Sequence, residues 1–432
     1  MHPKTLVSIS LPKRGPATDR RPPRPGVDRQ ANPQHTSAAD LHNTIATEAA
    51  YRTRVLPARV LHRPLSRFAI LLLALGLAAT AYAQEFVFAQ AIDLYGEHGD
   101  VGKDYFSGVQ VYLDYINATG GINGYKVVFL FKDSGGDPKR TVEFTNEFIL
   151  KSGADALLGY MGDPSVAAVT QSAAFQDNKI AFFAPLSGGQ DADQSDRVFY
   201  LRPSYGDEAK RIVSFFAGLG ISDIAVVYED DAYGRGVAKA TEEELARHGG
   251  KTAIKAAIPK EAANLSRTLQ QVAAVNPRVL IIGADTVESA LLLKQYRPLQ
   301  PSVFACVLSL VNDKTFRDLG GSAAARGTVF AEVVPDPARP LIPAVAEHLA
   351  LMKKYRDEPA TQFTLEGYLA AKALVTILRR EGAKPGRANV LAAIQKTRAI
   401  DVGGFLFDFR QGARASTFID LSVLSVKGGL MY

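Results

Sequence analysis

Three short loops rich in glycine and small polar residues are where this 432-residue chain has chemistry to offer: 94–99 (LYGEHG), 159–165 (GYMGDPS) and 184–189 (APLSGG). Each follows an apolar run and is read as preceding a helix. Backbone N–H groups and a helix dipole would then meet an anionic group of a small molecule. Covalent chemistry finds less support. The chain has no P-loop, no GxGxxG and no GxSxG, and Leu186-Ser187-Gly188 lacks the strained elbow around a nucleophilic serine. After residue 83 the histidines are His98, His248 and His348, none paired at metal spacing; the last two read as solvated helix positions. Asp230-Asp231 reads as a solvated loop. The lone Cys306 excludes an intramolecular disulfide and a cysteine metal site, and reads as a small core residue. No catalytic residue, metal or cofactor is expected.

The elements that must carry these loops alternate. An apolar strand is expected over 86–92, then a helix over 103–117 with Phe106, Val109, Leu113 and Ile116 on one face. Gly120-Gly121 closes that helix, a second strand runs over 125–131, and Asp137-Pro138 opens the next helix as cap and first-turn proline. Further apolar runs fall at 156–159, 180–183, 224–228, 252–258, 279–282 and 303–307. Between most of them lie amphipathic stretches at 165–176, 207–219, 234–248, 265–275 and 287–296. Helices over 341–355, 363–380 and 387–396 precede strands over 404–409 and 418–426. Continuous apolar strands between helices predict an α/β fold with parallel sheets covered on both faces. The number of units favours two doubly wound lobes over one sheet. A closed eight-stranded barrel is the rival, and the loss of strict alternation near the C-terminus argues against it.

The net charge of +6 is unevenly placed. Residues 1–83 hold twelve Lys and Arg against four Asp and Glu, a net of +8, which leaves −2 for 84–432. A basic surface for nucleic acid is therefore not expected. Arg63 and Arg67, an apolar stretch over 68–79 and Ala81-Tyr82-Ala83 read as a signal peptide over 60–83, cleaved after Ala83 into the periplasm. Residues 1–59 read as disordered, or as lying upstream of a natural start near Val60.

The stretches AIDLYGEHGDVGKDYFSGVQVYLDYINATGGINGYKVVF, ADALLGYMGDPS, IAFFAPLSG, DIAVVYEDDAYGRGV and FTLEGYLAAKAL, in this order and spacing, resemble the type I periplasmic binding proteins of the branched-chain amino-acid class. The resemblance implies two lobes joined by a three-segment hinge: 84–203 plus 331–408, and 204–330 plus 409–432, with 326–331 as one crossing. It implies a monomer without cofactor that closes on a small-molecule ligand and presents it to the membrane permease of an ATP-driven importer. The alternatives are the same fold acting as a sensor for a membrane receptor, and a secreted hydrolase.

By resemblance the ligand faces Tyr95, Asp163, Pro164, Ser165, Leu186, Ser187 and Gly188 from the first lobe. From the second it faces Tyr233, Asp285, Thr286 and Leu308, with Phe363 as an aromatic wall. Two positions depart from the family pattern: Leu308 stands where a glutamate pairs with the ligand ammonium, and Gly188 where a threonine helps hold the ligand. A buried ammonium needs a partner. The expected ligand is therefore a small carboxylate or amide with an apolar part stacked on Tyr95, Tyr233 or Phe363, unless Asp163 or Asp285 replaces the glutamate.

Overall fold

The computed structural model describes residues 84–189, 195–259, 262–412 and 414–432. The segment 1–59 and the signal peptide with its cleavage after Ala83 lie outside the described residues. Among the described residues, no helix is long and apolar enough to cross a membrane.

The first part of the chain alternates β1 (Phe86–Ile92), α1 (Gly99–Ala118), β2 (Val127–Asp133), α2 (Pro138–Leu150), β3 (Ala156–Leu158), α3 (Asp163–Gln171), α4 (Ala173–Asp177), β4 (Ala181–Phe183) and β5 (Val198–Phe199). These strands form one parallel sheet in the order β2-β1-β3-β4-β5. The residues of β3 and β4 are all buried, as their unbroken apolar runs require. Phe86, Phe88 and Ile92 of β1 enter one core, while Ala89 and Ala91 enter the core on the opposite face.

Three expected boundaries move for local reasons. The first helix begins at Gly99 rather than 103, because its opening turn is pressed onto the end of β1. A Cβ on Gly102 would lie 1.7 Å from the Asp93 carbonyl oxygen. The second strand starts at Val127, since Ile122 and Tyr125 exchange backbone hydrogen bonds and close a turn first. The helix expected over 165–176 is broken at Ser172, whose extended backbone ends α3 and whose hydroxyl caps α4.

The second part holds α5 (Tyr205–Gly218), β6 (Ile224–Tyr228), α6 (Ala232–Arg247), β7 (Ile254–Ala257), α7 (Ala262–Ala274), β8 (Val279–Gly283), α8 (Thr286–Tyr296), β9 (Phe304–Val307), α9 (Asp313–Gly320), α10 (Ser322–Ala325) and β10 (Val329–Glu332). Then come α11 (Pro343–Tyr355), α12 (Gln362–Arg380), α13 (Arg387–Lys396), the antiparallel pair β11 (Ala399–Asp401) and β12 (Leu406–Asp408), β13 (Asp420–Leu424) and β14 (Leu430–Met431). The second sheet runs β14-β13-β10-β9-β8-β6-β7, parallel from β10 to β7, with β13 and β14 antiparallel at one edge. Cys306 is fully buried within it, as expected.

The chain passes between the two cores three times. Leu201 belongs to the first core and Tyr205 to the second; Ala331 to the second and Val334 to the first; Ala415 to the first, with Ile419 packed on the second. The stretch 326–331 is not itself a crossing. Its Val329–Glu332 portion is strand β10, fully buried between β9 and β13, and the chain changes core only after Glu332.

Candidate functional site

In both sheets the first strand of the unit lies between the second and third: β1 between β2 and β3, β6 between β7 and β8. Loops leaving the carboxyl ends of β1 and β3, and of β6 and β8, diverge there and open a crevice. The two crevices meet. Thr315 Oγ1 on α9 donates to Asp100 Oδ2 on α1 at 2.6 Å, and the Tyr205 hydroxyl on α5 donates to Asp163 Oδ1 on α3 at 3.3 Å.

Asp163 is the first residue of α3, after Gly162, whose φ of 89° lets the chain turn sharply into the helix. Its carboxylate is cradled: Ser187 Oγ donates to Oδ1 at 2.6 Å, and the Gly189 backbone also bonds to it. Burial raises its pKa, while the bonds from Ser187, Gly189 and Tyr205 pull the other way. A Cβ on Gly189 would lie 2.6 Å from Asp163 Oδ2, and one on Gly188 would lie 2.4 Å from the Tyr205 ring. The loop's position is fixed by the bond from the Leu186 N–H to the Tyr160 carbonyl, and by Arg414, which donates to the carbonyls of Ser187 and Gly189. The expected helix after it is not seen among the described residues, where the next element is β5 and the donors are Ser187 and Gly189.

Beside Asp163 lies a polar network that reading the sequence missed. Arg202, fully buried in the first passage between the cores, reaches Ser309 and stands 3.5 Å from Glu208 Oε1 and 3.6 Å from Glu366 Oε1. Glu208 accepts from both the backbone and the hydroxyl of Ser309, at 2.8 Å each. Burial works against the Arg202 charge, but Glu366 and Glu208 hold its pKa above the ordinary value. Burial raises Glu208 and Glu366, with Arg202 opposing. One polar side chain each from α5, α12 and the first passage between the cores thus meet at the base of the cleft. A cavity with room for about one water molecule lies there, lined by Tyr105, Arg202, Glu366 and Phe407 among others. The available signal was position: Glu208 falls on the same helical face as Tyr205, Ala209 and Ile212, and Glu366 interrupts an apolar helix.

Of the expected ligand positions, Asp163, Leu186, Ser187 and Gly188 come together, and Tyr233 joins them through Tyr205, ring centroids 4.6 Å apart. The buried Tyr233 hydroxyl has no hydrogen-bond partner. Asp285 caps α8, Thr286 Oγ1 accepts from the Asn312 N–H, and Leu308 is fully buried in the second core. Glu229, at the end of β6, has its pKa pushed up to about 7 by burial and by Asp285 and Asp231.

Other positions lie apart. Tyr95 is 78% exposed with Lys103 over its ring, Pro164 is exposed, Ser165 is buried with Thr141 donating to it, and Phe363 is fully buried in the first core. Asp230-Asp231 is an exposed bend, as expected, in which Asp231 caps α6 and Asp230 pairs with Arg235. His348 is not solvated but fully buried, because α11 turns it inward with Val345 and Met352. Among the described residues, no group of His, Cys, Asp and Glu is placed to hold a metal.

Residues 88–429 match the family described as periplasmic binding protein. The chain belongs to that family. Among its relatives, the Leu/Ile/Val-binding protein homolog 3 of Brucella melitensis is 23% identical over 330 residues, covering 76% of this chain and 87% of the relative. A substrate-binding periplasmic protein from Ralstonia solanacearum superposes with a TM-score of 0.74 at 26% identity, over 80% of this chain and 99% of that one. The branched-chain amino acid transporter substrate binding protein LivJ from Streptococcus pneumoniae, solved with isoleucine, shares the fold with a TM-score of 0.70 at 17% identity, over 81% and 98%. The family is one of binding proteins rather than enzymes, and the Brucella relative is named for binding leucine, isoleucine and valine.

Proposed function

We propose that this protein is the periplasmic substrate-binding component of an ABC importer, exported by the signal peptide over 60–83, and that it hands a small ligand to the membrane permease. One observation carries the reading: two sheets of the same strand order present their crevices to one another, and Asp163, Ser187, Gly188, Tyr205 and Tyr233 meet where they do. A ligand touching both sides binds the closed arrangement better than the open one and shifts the hinge equilibrium toward it. The permease then reads the closed surface.

The test is a thermal-shift panel of amino acids, small carboxylates, amides and amines on the purified protein. A compound that binds only the folded state raises Tm in step with its concentration over Kd. A saturable shift, with the compound recovered unchanged, is expected. Chemical conversion of the bound compound, or silence across the panel from a protein that also carries no small molecule by native mass spectrometry, would count against the reading.

A further inference from the structure

We propose that the Asp163 carboxylate occupies, from within the chain, the place a ligand carboxylate would take, so that the cleft selects an organic amine. The inference rests on the binding-protein reading and narrows it. The donors around Asp163 at this end of the cleft are the Ser187 and Tyr205 hydroxyls, the Gly189 backbone and the first turn of α3. The first three already serve Asp163, and the fourth starts with it. The close fit of Gly189 against Oδ2 leaves no room for a second carboxylate in the cradle. An anion placed beside it would also face like charge in a partly desolvated site.

Among the described residues the cations nearby offer no alternative: Arg202 stands between Glu208 and Glu366, and Arg414 is engaged with the carbonyls of Ser187, Arg202, Pro203 and Gly189. The opposite wall is acidic as well, with Glu229, Asp231 and Asp285 clustered closely enough that each of the other two raises the Glu229 pKa. An ammonium suits this lining. Asp163 can accept from it, the buried and unpartnered Tyr233 hydroxyl can accept a second bond, and the Tyr205–Tyr233 pair offers aromatic faces that attract cations. Asp163 then supplies the ammonium partner that Leu308 cannot.

Calorimetry on the purified protein with a matched set tests this: isopentylamine, leucinamide, leucine and 4-methylpentanoate. The amine and the amide are expected to bind at least about tenfold tighter than 4-methylpentanoate. Asp163→Ser empties the cradle and should reverse the order, weakening the amines about tenfold or more and admitting the acid. Asp163→Asn keeps the side chain's size, guards against a folding defect in the first variant, and should lose the amines without gaining the acid. Wild-type protein that takes 4-methylpentanoate as tightly as isopentylamine overturns the assignment while leaving the binding-protein reading intact. Failure of every amine also overturns it. An unchanged order of affinities in both folded variants does the same.

Discussion

A histidine with two unpartnered ring nitrogens in an apolar core makes the folded state sensitive to acid. His348 on α11 is fully buried, its ring 5.2 Å from that of Tyr368, and neither nitrogen finds a hydrogen bond. The adjacent Glu347 is paired with Lys372 at 2.5 Å, and burial acts on the imidazole and pushes its pKa down to about 4. The folded chain therefore keeps His348 neutral where the unfolded chain has begun to bind a proton, near pH 6.5. Stability from this residue is complete above that pH and is lost as pH falls toward 4, by up to about 3 kcal/mol. His348→Phe should remove that part of the acid loss, seen as a Tm gap between variant and parent that widens from pH 7 to pH 4.5. A constant gap would assign the acid sensitivity to another group. The position was legible in principle: 344, 345, 348, 351 and 352 form one helical stripe, and all are buried. Residue type suggested a solvated position, and the stripe overrode it. Glu208 and Glu366 fall on buried faces in the same way.

Helix α1 lies against α12 through a reciprocal pair of glycines. A Cβ on Gly108 would meet the Thr364 carbonyl oxygen at 1.9 Å, and one on Gly367 the Tyr105 carbonyl oxygen at 2.1 Å. Alanine is the better helix former by about 1 kcal/mol, so propensity alone favours substitution. Here the obstacle is backbone, which cannot rotate away, and the helices must move apart. Gly367→Ala is expected to cost about 1–3 kcal/mol in denaturant unfolding, the range of overpacked cores, with the propensity gain outweighed. Adding Gly108→Ala should cost less than its single effect, because the first substitution has already opened the gap. A stabilised Gly367→Ala would show that the crossing relaxes freely. At this scale the sequence announced strands and helix interiors well, because burial on both faces of a parallel sheet writes itself as apolar runs. It did not announce the Ile122–Tyr125 turn, the break at Ser172 or the opening of α1 on Gly99 and Gly102. Those depend on close backbone approaches that side-chain periodicity does not record. Nor did it show that 329–332 is a strand, since a crossing and a buried strand are equally apolar.

For the molecule as a whole, the question is what holds the two halves together besides the three passages of the chain between them. Much of the interface is polar and internally paired: Tyr205 on Asp163, Glu208 and Glu366 on either side of Arg202, and Thr315 on Asp100. The last of these lies outside the proposed binding groups and joins the first turn of α1 to α9, so it reports on closure without touching the ligand. When the halves part, water takes over as partner for both groups, and the bond's net contribution is about 1 kcal/mol, more if the Asp100 charge strengthens it. Thr315→Val keeps the shape and removes the donor. The closed-to-open ratio should then fall about fivefold or more, since 1.4 kcal/mol is tenfold. Two readouts follow from the same shift. The radius of gyration of the ligand-free protein in small-angle X-ray scattering should rise toward that of an open form. Ligand should also leave faster, by up to a similar factor, while its association rate, set by encounter with the open form, rises with the open fraction or holds steady rather than falling. A slower association with unchanged release would place Thr315 on the entry path, and closure would then rest on the Arg202 network at the base of the cleft.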